Sequence, residues 1–175
     1  MSQPKRRISR SQAEHPPKPD RLWLSSPFDS RPWVAPVVLA AFTLLLWSYT
    51  VRLPLHYWDD SVYLFADPRL NALTLANIWA ILTKPFFANY HPVTTLTFLW
   101  DRLIWKTWLS GYHLTHLFFY TGGVVLAYFF FLSIARNRFW ALVGAALFSS
   151  HALHVEPVAW LASRKDVVCL FFSTA

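Results

Sequence analysis

A chain of 175 residues is long enough for one soluble domain with a sizeable core, but its composition argues against that. Hydrophobic residues make up 55%, aromatic residues 18% and charged residues only 14%, where soluble domains carry about 25% charged residues. The net charge of +7 suits a nucleic-acid partner, but its placement argues against one: seven of the sixteen basic residues (Lys5, Arg6, Arg7, Arg10, Lys18, Arg21, Arg31) precede the first long apolar run with hardly an aromatic among them, the pattern of a segment held on the cytoplasmic side of a membrane.

Residues 1–32, rich in Pro, Ser and Arg, read as a disordered basic cytoplasmic tail. The tail is too long for the charged end of a signal peptide, and no small-x-small site follows, so an uncleaved first helix is expected. That span runs over about 34–51, eighteen residues without a charge, bracketed by Arg31 and Arg52. At 1.5 Å per residue it just crosses a hydrocarbon layer of about 30 Å.

Residues 52–111 change character, with five basic and four acidic residues, Pro54, Pro68, Pro85 and Pro92, and many Trp. Helices at 73–82 and 92–105 are expected to lie along the interface. A second span follows at about 112–134, where Gly122 and Gly123 allow close approach of another helix. Arg136 and Arg138 mark a cytoplasmic loop, a third span is expected at about 139–153, and an incomplete one starts at 167. The expected fold is all-α: a polytopic membrane helical bundle over 33–175 with interfacial helices in a long first outer loop. Residues 52–111 and 151–166 then share the outer, non-cytoplasmic face. Cys169 stands alone, so no internal disulfide forms.

Three segments carry residues suited to chemistry. Trp58-Asp59-Asp60 lies just beyond the first span; adjacent carboxylates repel, which raises one pKa and suits a general base for a hydroxyl nucleophile. Capping of a following helix is the simpler use of the pair, and the residues alone favour it. In His151-Ala-Leu-His154-Val-Glu156-Pro157, a His/Glu spacing leaves room for a divalent metal, but no second ligand pair is evident and Pro157 breaks the local helix. Arg164 and Lys165 suit either a phosphate oxygen or interfacial anchoring. The third segment holds His91, followed by His113 and His116 on one helical face, equally suited to packing or to ligation.

Taken in order, the acidic pair, "NYHPVTTLTFLWDRLIW", "GYHLTHLFFY" and "HALHVEPVAWLASRKDVV" resemble a family. They are similar to the membrane half of the transmembrane and tetratricopeptide-repeat O-mannosyltransferases and their bacterial relatives, glycosyltransferases of the GT-C type. The resemblance covers about residues 50–175, and its last motif is the most specific. It implies a fold of many transmembrane helices in the bacterial inner membrane or the endoplasmic reticulum. It also implies inverting transfer of a sugar, mannose by the family, from a polyprenyl-phosphate carrier to a Ser or Thr hydroxyl of an acceptor protein on the non-cytoplasmic side. The implied catalytic carboxylate falls on Asp60 or Asp59, with Asp60 slightly preferred. Arg164 and Lys165 are the implied partners of the leaving phosphate, with His91, His154 and Glu156 lining the same cavity. No metal ligand set and no certain cofactor follow; a divalent metal remains open. No thirty-four-residue repeat is visible, so the chain is expected to be a fragment, an amino-terminal piece of such an enzyme, with an incomplete lipid groove. A non-catalytic membrane scaffold or a decayed remnant is the alternative, and a transporter ranks last because no inverted repeat is visible.

Overall fold

The computed structural model describes residues 26–55, 59–87 and 89–175. Most of the basic tail expected at 1–32, and Trp58 of the acidic motif, lie outside the described residues. Among those described every regular element is helical, and the extended contact is an isolated bridge between Phe86 and Asn89.

Helix α1 (Val34–Trp47) continues through a tighter turn, Ser48–Arg52, as one apolar stretch of 19 residues. Pro36 is tolerated because it falls in the first turn, where backbone N–H groups have no intrahelical acceptor. Ala35, Leu39, Thr43 and Trp47 are buried; their four-residue spacing makes them a single stripe. Val37, Val38, Phe42 and Leu45 face outward and exposed, a contiguous apolar surface that suits lipid better than water. The second long apolar helix, α4 (Leu109–Ala135), has 27 residues. Both are long and apolar enough to cross a membrane, consistent with a membrane protein.

The segment expected to form a third span, about 139–153, holds a shorter helix. Helix α5 (Arg138–Ser149) has 12 residues and reaches about 18 Å, against about 30 Å of hydrocarbon. Its start is fixed by Asn137, whose Oδ1 accepts the N–H groups of Phe139 and Trp140 at 2.9 and 3.3 Å. It stops at Ser149 because the corner has its own acceptors and donors. The indole N–H of Trp47 and the hydroxyl of Tyr120 each donate to the Ser149 carbonyl at 3.0 Å, and the hydroxyls of Ser149 and Thr43 meet at 3.0 Å. A carbonyl left open by the helix end is thus satisfied from two other helices. The chain then makes a short turn, Ala152–His154, with the His151 ring accepting the Leu153 N–H.

Helix α6 (Val155–Ala159) and the turn Leu161–Ser163 lead to α7 (Arg164–Thr174). The close approach allowed at Gly122 and Gly123 is made by α7: a Cβ at these positions would lie 2.6 Å from the Phe171 ring and 2.9 Å from the Leu170 side chain.

The segment between α1 and α4, expected on the outer face, has helices α2 (Leu75–Thr83) and α3 (Pro92–Trp105). Thr74 caps α2 through its side chain, accepting the Asn77 N–H at 3.1 Å. Pro92 begins α3, where its fixed φ is already helical. Asp67 and Arg69 pair, and Arg69 reaches on to the Ala80 and Lys84 carbonyls at 3.2 and 2.9 Å, closing the end of α2. Two buried clusters result. One joins α1, α4, α5 and α7 around Leu39, Trp47, Tyr120 and Val124. The other lies under the outer segment around Leu64, Leu70, Ile81, Phe98 and Tyr112, with Leu161 inserted. This second cluster positions the site.

Candidate active site

The acidic pair divides. Asp60 is buried, and its Oδ1 accepts the Ala162 backbone N–H at 2.8 Å across 102 residues of sequence. The helical turn that follows, Val62–Ala66, has no side-chain cap. The Asp59 main-chain carbonyl takes the Val62 and Tyr63 N–H groups. Asp60 ties the segment that follows α1 to the turn before α7.

Beside this tie is a narrow cleft of about 20 Å³, whose walls bear Tyr63, Asp67, Asn89, His91, Thr94 and Lys165. Ala162, the residue Asp60 holds, is part of the same wall. The side-chain amide of Asn89 donates to the Tyr63 hydroxyl across the rim. An apolar continuation runs between α3 and α7 past Pro92, Val93, Val168 and Phe172, again with His91 and Lys165 at its edge. Of the residues expected to share a cavity, His91 and Lys165 do so, and Asp60 stands one hydrogen bond behind them.

The others do not meet there. Arg164 is wholly buried. It is ion-paired with Asp101, donates to the Tyr112 carbonyl at 2.7 Å, and lies 4.3 Å over the Phe98 ring. Both terminal nitrogens are thereby committed to the protein, whereas Lys165, the other candidate, stands at the cleft wall. Burial pushes the Asp101 carboxyl above the usual carboxylate range, opposed by Arg164 and by nearby Thr115 and Trp105. Glu156 is exposed in a separate hollow bordered by Leu153, Ala159 and Trp160. His116, buried, meets the Pro157 carbonyl through Nε2 at 2.7 Å, so the open choice between packing and ligation resolves to packing for this ring. Among the described residues no group of three or more His, Cys, Asp or Glu converges to hold a metal ion.

His154 packs its ring 4.5 Å from Phe148 and 5.6 Å from Tyr120, away from the cleft. Burial pushes its pKa below the usual histidine value of 6.5, and His151 pushes the same way. Because the unfolded chain binds the proton more readily, the stability held by neutral His154 is fully present above about pH 6.5 and is lost as pH falls below it. The unfolding midpoint is expected to drop between pH 7.5 and pH 5 by more in the native chain than in His154→Gln; equal drops would place the pH sensitivity elsewhere.

Asp101, Tyr63 and Thr94 were not singled out from sequence. Asp101 had a signal: it shares the buried face of α3 with Thr94 and Phe98 at i, i+4 and i+7, and a charge on an apolar stripe calls for a partner. Thr94 lies within the quoted motif of residues 89–105 and Tyr63 just after the acidic pair, which was the signal available for them.

Comparison with known proteins points in one direction. The chain is 29% identical over 85 residues to the mouse and human proteins named Protein O-mannosyl-transferase TMTC2, covering 48% of this chain and 10% of each relative. It is 29% identical over 120 residues to the Caenorhabditis elegans Protein O-mannosyl-transferase F38B6.6, covering 62% of this chain and 16% of that protein. These similarities support a distant relation to the TMTC2-type O-mannosyltransferases. The matched stretches thus span between a tenth and a sixth of those relatives. No family profile matches the chain, and no solved structure does.

Proposed function

We propose that the chain carries the outer-face reaction cleft of a multi-pass GT-C-type membrane glycosyltransferase, moving a sugar, mannose by analogy with its relatives, from a polyprenyl-phosphate carrier to a protein Ser or Thr hydroxyl. The observation that supports this most is the junction of Asp60, Ala162 and the cleft that bears His91 and Lys165. In the proposed reaction the Asp60 or Asp59 carboxylate takes the acceptor hydroxyl proton as that oxygen forms a bond to the anomeric carbon. The bond from that carbon to the phosphate oxygen breaks, polyprenyl phosphate leaves with the electron pair, and Lys165 balances the charge that develops. The apolar continuation between α3 and α7 is where the first isoprene units would lie. Helices α1 and α4 would cross the bilayer, the basic tail of 1–32 would stay cytoplasmic, and 33–175 would act as one membrane domain.

The test is transfer from radiolabelled mannosyl-phosphoryl-polyprenol to a Ser/Thr peptide by the full chain in membranes. Asp59→Asn with Asp60→Asn is expected to lower it by about 10²- to 10⁴-fold, the usual worth of a general base. Undiminished turnover in a folded double variant would sink the carboxylate assignment.

A scaffold without catalysis is the second reading. It is favoured by one observation: Asp60 and Arg164 already have internal partners.

A further inference from the structure

Arg164 and Lys165 are adjacent in sequence but have opposite surroundings. The first is wholly buried, whereas the second is exposed at the wall of the cleft and of its apolar continuation. They open α7 directly after the turn Leu161–Ser163. Each helical residue advances the side chain by about 100°, so whatever fixes the azimuth of Arg164 also fixes where Lys165 points.

Arg164 is fixed by two separate elements. Asp101 and Phe98 come from α3, and the Tyr112 carbonyl comes from the first turn of α4. Its Nη1 also lies 3.5 Å from the Thr97 hydroxyl. A planar guanidinium that spans two acceptors and stacks on a ring admits a single orientation, which an ammonium group in its place would not impose. The Phe98 ring completes the arrangement, since it carries the stacked cation on a side chain that is also part of the cleft wall.

We infer that Arg164 is a positioning residue: clamped by Asp101 and the Tyr112 carbonyl, it sets the first turn of α7 so that the Lys165 ammonium is presented to an anionic phosphate ester in the cleft. The inference rests on the proposed assignment of Lys165 to the leaving phosphate. Arg164 itself touches no substrate.

The test is a double-mutant cycle in the full chain, read in two ways: kcat and KM for the sugar-phosphate lipid, and the affinity for farnesyl phosphate, a probe whose binding needs no turnover. Arg164→Lys is expected to raise KM and weaken farnesyl phosphate binding by up to about 100-fold, the scale of a misplacement of about 1 Å. Asp101→Asn is expected to act the same way and carries the cycle if Arg164→Lys does not fold. Lys165→Ala alone should weaken binding comparably. On the Lys165→Ala background, either change should then cost less than about threefold more, because groups acting through one another are not additive. Losses that multiply would overturn the inference, since Arg164 would then act without Lys165. If the native chain transfers no sugar yet the farnesyl phosphate cycle is non-additive, the proposed reaction fails and the positioning role stands. If transfer is seen and the losses multiply, the positioning role alone fails.

Discussion

Asp60→Asn is expected to leave the fold in place and abolish transfer, whereas Asp60→Ala is expected to damage both. The asparagine keeps an Oδ1 that accepts the Ala162 N–H, so the tie between the outer segment and the α7 turn persists. Only the charge is lost, and with it about 10²- to 10⁴-fold in rate if this carboxylate is the base. Alanine removes the acceptor. A buried N–H without a partner costs about 1–3 kcal/mol, and the turn that carries Lys165 loses a restraint. Thermal unfolding of the two variants beside the transfer assay separates the roles. An Asp60→Asn variant that folds and turns over at the native rate leaves Asp60 as a structural tie, and Asp59→Asn measured alone then decides which carboxylate reacts.

Asp101→Ala is expected to be the most destabilising single change in the outer segment, by about 3–5 kcal/mol, because it strands a buried guanidinium. Arg164 and Asp101 are 0% and 1% exposed, and Arg164 is further held by the Tyr112 carbonyl and the Phe98 ring. The pair itself contributes less than that figure suggests, since burying both charges costs several kcal/mol before their attraction returns it. Burial accordingly pushes the guanidinium pKa down and the carboxyl pKa up, each opposed by the partner. Asp101→Leu combined with Arg164→Met is therefore expected to recover much of the stability lost in Asp101→Ala. It should not recover the orientation of Lys165. Unfolding in detergent at low and high salt checks the site: the loss should be nearly independent of ionic strength, because a dry pair is little screened. A loss below about 1 kcal/mol would mean that the pair behaves like an exposed one.

The two expectations concern one junction. The first outer segment, α3, the start of α4 and the turn into α7 meet at Asp60, Asp101, Tyr112 and Arg164. In a soluble protein an apolar cluster alone often suffices to join such elements. Here the outward faces of α1 and α4 leave large apolar residues exposed, and the polar ties define how the segment between these helices sits.

The amino-acid sequence by itself determined the helical character of the chain and the places of its long elements. Charge-free runs, a Pro at the start of α3 and an Asn before α5 act within a few residues, so they are legible without a fold. It also carried the motif resemblance, because spaced His, Glu, Arg and Lys in the last segment are hard to obtain from apolar composition. The length of α5 was not legible: its end depends on Trp47 and Tyr120 reaching the Ser149 carbonyl from two other helices. Nor were the opposite fates of Arg164 and Lys165, or the separation of His154 and Glu156 from the cleft. Adjacent or closely spaced polar residues look alike in a sequence. Only the tertiary structure decided which of them found a partner more than fifty residues away and which was left facing the cleft, because burial and pairing are set by what packs against a side chain and not by its neighbours along the chain.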